Sequence, residues 1–180
     1  VVATPNDILG FWRNAGPRQW FAARPAFDEA IRLKFEAVHH AAARGEYDKW
    51  AETPDGALAL LILLDQFPRN LYRGSGHAFA TDGKALAIAH AAADAGWHRQ
   101  VEKELAGFML LPFQHAEDLG DQDRGLQLAR ELGNPDTEKW HQIHRDVIAR
   151  FGRFPHRNPM LGRPTTPEEQ AFLDEGGFAG

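Results

Sequence analysis

Between residues 25 and 44 the apolar side chains Phe27, Ile31, Phe35, Val38 and Ala42 recur at steps of four, four, three and four, the spacing that turns one helical face toward a core. Gly45 follows as a stop, because glycine enters the left-handed conformation that closes a helix at little cost. A second stretch has a different pattern. Leu58, Leu60, Leu61, Ile62, Leu63 and Leu64 are apolar on every side, which predicts a helix over 54–67 enclosed by its neighbours, with Pro68 ending it. Further helices are predicted over 82–95, 97–111, 117–132, 135–151 and 167–175, stopped by Gly96, Pro112, Gly133 and Gly152. Thr4-Pro5, Thr53-Pro54, Asn134-Pro135 and Thr166-Pro167 each set a capping oxygen before a proline suited to the first turn. Asp7 and Glu169 stand where a capping box needs an acid. Strand alternation is nearly absent, and the proline-bearing segment 153–164 reads as a loop over the helices. The expectation is a single all-α domain over 1–180, with about eight helices around a buried central one and short links that favour antiparallel neighbours.

Composition narrows the classes. A chain of 180 residues with 43% hydrophobic and 25% charged residues is ordinary for a globular domain and excludes a disordered tail. With no cysteine, disulfides, thiolate metal sites and a cysteine nucleophile are excluded, and a reducing cytoplasm is the expected location. The longest apolar run, 57–64, is far shorter than the roughly 20 residues of a bilayer span, and no basic-then-apolar leader opens the sequence, so no membrane partner is expected. A net charge of −5 disfavours a nucleic-acid surface.

That charge is unevenly placed. Windows 8–27, 66–81 and 147–167 lack any acidic residue and hold nine arginines, including Arg13, Arg18, Arg24, Arg150 and Arg163. Arginine's planar fork suits bidentate recognition of carboxylate or phosphate, so an anion site and a set of structural ion pairs are both open readings. Phe67-Pro68-Arg69-Asn70 and Phe154-Pro155-His156-Arg157-Asn158 echo one another just beyond predicted helices.

Three stretches, 58–74 around Asp65-Gln66-Phe67-Pro68-Arg69-Asn70, 111–118 around Phe113-Gln114-His115-Ala116-Glu117, and 150–158 around Arg153-Phe154-Pro155-His156-Arg157-Asn158, resemble the bacterial family called domain of unknown function 924. Phe11-Trp12, Trp20-Phe21, Leu161-Gly162-Arg163 and Thr166-Pro167-Glu168-Glu169 extend the resemblance over nearly the whole chain. It implies a tetratricopeptide-like array of antiparallel helix pairs and no established activity. Where the family pattern has His-Ser-Glu, this chain has His115-Ala116-Glu117, which removes that hydroxyl.

The candidate ligand-binding residues are Asp65, Arg69, Asn70, Arg73, His115, Glu117, Arg153, His156, Arg157 and Asn158. The leading reading is a cleft in which the arginines hold a small carboxylate- or phosphate-bearing ligand or an acidic peptide, with Asp65 orienting them. Asp65 lies one turn before Arg69 in the apolar helix, where a carboxylate must be paired or protonated. Glu117 and Asp118 also read as an N-terminal cap for the next helix. The rival reading is a hydrolase-type enzyme with His115 or His156 as acid–base, and a third is a protein-interaction scaffold. Glu36-x-x-His39 and Glu138-x-x-His141 match a di-iron spacing, but both glutamates fall away from the apolar helical face, so neither metal nor cofactor is expected. Ser75 is the only serine, and no phosphate-cradling or dinucleotide motif occurs.

Overall fold

A computed structural model describes residues 2–180. It is all-helical, with no strand among the described residues. The helices are α1 (Pro5–Ala15), α2 (Pro17–Trp20), α3 (Pro25–Ala43), α4 (Pro54–Leu61), α5 (Phe67–Leu71), α6 (Asp82–Asp94), α7 (Leu111–Gln114), α8 (Leu119–Leu132), α9 (Pro135–Phe151) and α10 (Pro167–Asp174), with short 3-10 turns between them. None is long and apolar enough to cross a membrane. The chain divides into two compact units: unit 1 holds the residues up to Arg73 together with His77–Pro112, and unit 2 holds Gly74–Gly76 and Phe113–Gly180.

Unit 1 is built around α4. Ala57 to Leu64 are all buried, as the unbroken apolar run requires, and α4 packs against α1 and α6. A Cβ at Gly56 would run into the Trp50 carbonyl, so glycine lets α4 sit directly on the preceding 3-10 turn. Rings from α1, α3 and α5 complete the core, with Trp12 edge-on to Phe67 at 5.7 Å and Phe35 stacked on it at 5.2 Å.

Pro68 does not end this helix. The chain widens into one π turn, Ile62–Gln66, in which the Phe67 N–H donates to Ile62 O, and then resumes as α5. Proline brings no N–H to the ladder, so carbonyls of the π turn take partners from other elements. Leu63 O accepts from His39 Nδ1 at 2.8 Å, and Leu64 O accepts from the Thr81 hydroxyl at 2.5 Å. A carbonyl only accepts, so His39 carries its proton on Nδ1, and burial holds that imidazole below its ordinary pKa. The helix predicted over 97–111 is also replaced, by 3-10 turns Trp97–Arg99 and Ala106–Met109. Gly96 in the left-handed region and Gly107 within the run weaken a continuous helix there.

In unit 2, α8 and α9 are joined by Gly133 and Asn134. Gly133 closes α8 at φ 69°, and the Asn134 side chain caps α9 by accepting from the Asp136 and Thr137 amides. A Cβ at Gly125 would press on Phe113 and on the His141 ring, so this glycine sets how closely α8 meets α9. The start expected at 117 moves to Leu119, with Asp118 capping the Asp121 amide at 2.9 Å. Trp140, on α9, is 47% exposed. The predicted capping boxes are present at Thr4 with Asp7 and at Thr166 with Glu169.

Candidate functional site

The ten candidate residues divide between the units, four in unit 1 and six in unit 2. In unit 1 they are set by the π turn and α5. The Arg69 fork takes Asp82 with two bonds, 2.8 and 2.9 Å, and also donates to Asp65 O at 2.8 Å. The Asp65 carboxylate is 3.5 Å from Arg69 and accepts from Gln66 at 2.6 Å. Burial works against the Arg69 charge, but Asp65 and Asp82 more than offset it and raise its pKa. Asn70 donates to Asp28 Oδ1 at 2.8 Å, and Arg73 grips the same carboxylate at 2.7 and 3.1 Å. These forks join α5 to α3 and to the start of α6, a bracing role that the sequence left as an alternative to ligand binding. Asp28 and Asp82, their principal partners, carry no motif of their own.

The unit 2 residues lie along the segment after α9, which is a tied loop. Glu117, drawn away from the capping role, accepts from the Phe154 amide at 2.6 Å and from both arms of Arg163 at 2.9 and 3.1 Å. Burial opposes its charge, yet these donors and the nearby Arg157 guanidinium hold its pKa below the usual range. Arg157 is itself buried, stacks over the Phe154 ring at 4.6 Å, donates to His115 O at 3.0 Å and stands 3.9 Å from Glu117. Glu117 thus serves two guanidinium groups. Arg153 binds Glu169 through two nitrogens at 2.9 and 2.7 Å, and with the Thr166 amide and Asn158 it lowers the Glu169 pKa to about 2. Asn158 Oδ1 in turn accepts from Arg163 at 2.9 Å.

Imidazoles surround this network. His144 donates Nδ1–H to Trp140 O at 2.7 Å, leaving Nε2 to face the Gln114 amide at 3.5 Å, and burial lowers its pKa to about 3. Its ring lies 6.3 Å from that of His115 and 4.3 Å from Phe178, which also meets His156 edge-on at 5.3 Å. His141 is fully buried, and neither ring nitrogen has a hydrogen-bond partner. Burial brings its pKa to about 4, so it is neutral near pH 7. No group of three or more His, Asp or Glu among the described residues is arranged to hold a metal ion.

Two features escaped motif reasoning. Arg150, at the end of α9, is exposed, with its guanidinium over Phe151 at 4.7 Å and Phe172 at 5.5 Å and no ion pair among the described residues. With Arg153, Thr166 and Glu168 it borders an open concavity of about 540 Å3. In unit 1, Tyr72 Oη lies 2.9 Å from His40 Nε2 and 3.3 Å from Glu36 Oε1, with the His77 ring stacked on the phenol at 3.9 Å. An ionised Glu36 only accepts, so serving both contacts requires Tyr72 to donate to Glu36 and His40 to donate through Nε2. Burial first, then Glu36, pushes the Tyr72 pKa up. The signal was a tyrosine one turn past the Arg69 motif, with no periodic clue to its partners.

These elements define an all-helical class of protein. The model of the family described as bacterial protein of unknown function, DUF924, matches residues 8–177, and the chain belongs to that family. A solved structure of a protein of unknown function from Agrobacterium tumefaciens is similar at 46% identity, over 96% of this chain and 97% of that one, with a TM-score of 0.92. No curated protein matches the chain.

Proposed function

We propose that the protein is a helical binding domain that takes a small carboxylate- or phosphate-bearing ligand on unit 2, in the concavity bordered by Arg150 and Arg153. The observation that carries this is the Arg150 guanidinium, held over the Phe151 ring at 4.7 Å and the Phe172 ring at 5.5 Å with no carboxylate partner among the described residues. Contact with the two rings anchors the guanidinium by cation–π attraction, and its N–H groups remain for a bidentate acceptor. The volume, about 540 Å3, suits a small molecule. Glu168 on the same wall opposes a dense polyanion, so mono- and dianions are the expected ligands. Arg157, Asn158, His115, His156 and Glu117 form the supporting frame. The pairing of α8 with α9 through a two-residue link supports a tetratricopeptide-like arrangement of helices.

The test is a thermal-shift screen against phosphate, sulfate and mono- to tricarboxylates, because a ligand at about 100 times its Kd adds roughly 2.7 kcal/mol to the native state. The expected result is a selective shift that Arg150→Ala abolishes without loss of helical content. A shift of the same size in Arg150→Ala contradicts the reading.

A second reading, acid–base catalysis, is favoured by the Glu36–Tyr72–His40 relay. Tyr72 fixes the His40 tautomer as a positioning group does in a triad, leaving Nδ1 as the base. Hydrolysis of model esters that falls at least tenfold in His40→Gln and shifts its pH profile in Tyr72→Phe supports it; turnover equal in all three proteins contradicts it.

A further inference from the structure

Unit 1 presents an apolar face that its own core leaves uncovered. Ala26, Ala30, Leu33 and Ala37 recur along α3 at steps of four, three and four, so they share one stripe, while Phe27, Ile31, Phe35 and Ala42 turn into the core. Leu33 is 79% exposed, and Phe21, just before α3, is 70% exposed. Phe21 is nevertheless held in place. Its ring stacks on Phe108 at 5.7 Å with 19° between planes, and the next carbonyl, Ala22 O, accepts from Arg73 at 3.2 Å. At the start of the stripe, Ala23, Arg24, Pro25, Ala26 and Ala30 line a second open concavity of about 540 Å3. Scattered apolar residues on a surface need no explanation, but a three-turn stripe with a fixed, exposed aromatic ring five residues before its start marks an interaction site.

The charge at this face selects the partner. Arg18 and Arg24 are exposed and make no ion pair among the described residues, in a chain of net charge −5. Of the acids bordering the start of α3, Asp28 is gripped by Arg73 and Glu29 is paired with Arg32 at 3.5 Å. We infer that this face docks a short acidic amphipathic helix of a partner protein, its apolar residues on the Ala26–Ala30–Leu33–Ala37 stripe and Phe21, its carboxylates reaching Arg18 and Arg24. Helix-in-groove recognition reads anchors at i, i+3, i+4 and i+7, and the stripe extends about 16 Å along α3, room for about three turns. A basic helix meets two guanidinium groups at the same place. Such rim charges govern discrimination and association rate more than raw affinity. The surface is separate in kind from the Arg150 site, so the failure of either reading leaves the other standing.

The test is a fluorescence-anisotropy titration of the full chain with a 15-residue amphipathic peptide bearing leucine on one face and glutamate on the other. A twin peptide with lysine for every glutamate is the control, and sedimentation equilibrium is run on the protein alone. The glutamate peptide is expected to bind at least tenfold more tightly than its twin. Leu33→Ser abolishes that binding without lowering the melting temperature, Phe21→Ser abolishes it with at most the small loss of stability that goes with the Phe108 stack, and Arg18→Glu with Arg24→Glu removes the preference for the acidic peptide. Absence of binding, equal binding of the two peptides, or binding unchanged in Phe21→Ser overturns the proposal. So does a concentration-dependent dimer of the protein that Leu33→Ser dissociates, which assigns the face to a second copy of this chain.

Discussion

The two units are held together by different physics. In unit 1 the interior is leucine, isoleucine, alanine and aromatic rings, and the few buried polar groups, such as His39 and Asp65, are tied to the π turn or to their neighbours. In unit 2 the buried polar side chains Gln114, Gln122, His141, His144, Arg157, Asn158 and Glu169 equal in number the buried apolar ones among the described residues. Apolar burial involves no proton uptake or release, so it does not depend on protonation. A core of paired charges and neutral imidazoles is conditional on protonation, because it needs its carboxylates ionised and its histidines uncharged. The same polar interior, through Glu169, also fixes Arg153 at the concavity that Arg150 borders, so the unit that is more sensitive to conditions is the one that bears the proposed ligand site.

The comparison is tested most severely by the largest effects. Leu61→Ala empties a fully buried position in α4 and is expected to cost about 3–5 kcal/mol, by the same amount at pH 7 and pH 5 in urea denaturation; a cost that depends on pH contradicts the apolar description of unit 1. Glu169→Ala leaves Arg153 and Asn158 without their carboxylate and is expected to cost about 3 kcal/mol at pH 7. The Glu169 pKa in the fold is about 2, below that of the unfolded chain. Its contribution is therefore fully present above pH ~4.3 and is lost as pH falls toward 2, so the variant and the parent converge in that window.

The histidines act at milder pH. Their folded pKa values, about 4 for His141 and about 3 for His144, lie below the unfolded value of ~6.5. The unfolded chain then takes up protons first as pH drops, so stability is full above pH ~6.5 and declines below it, by up to about 1.4 kcal/mol per unit for each group. His141→Leu removes one titrating group and two nitrogens without partners among the described residues, and is expected to lower the slope of stability against pH between 6.5 and 4, followed by urea midpoints, by up to about 1.4 kcal/mol per unit, with His144 and His39 supplying the rest. An unchanged slope counts against a buried neutral His141. The smallest effect is expected at the caps. Thr53→Ala in unit 1 and Asn134→Ala in unit 2 each remove an N-cap acceptor and cost about 1 kcal/mol, with little dependence on pH in either unit.

What was legible in the sequence follows the same division. The four cap-proline pairs, both capping boxes and the buried run of α4 are local signals, and local hydrogen bonding and periodicity decide them. The passage through Pro68 was not legible, since the helix continues only because His39 and Thr81, distant in sequence, take up the freed carbonyls. Glu117 looked like a cap because it stands beside one; its partners Phe154 and Arg163 lie 37 and 46 positions away. Arg69, Arg73 and Arg153 were visible as an arginine class, but the carboxylates that hold them, Asp82, Asp28 and Glu169, are ordinary acids until the fold brings them near. Arg150 was visible only as one of nine arginines, because its contact with Phe172, 22 positions away, leaves no trace in local spacing.

The most direct test of the central claim, that the polar unit carries the ligand site, is amide hydrogen exchange at pH 7 with and without phosphate or succinate. The account predicts slowed exchange concentrated between residues 150 and 169, lost in Arg150→Ala. Slowing centred on residues 65–73, or none with either anion, contradicts it.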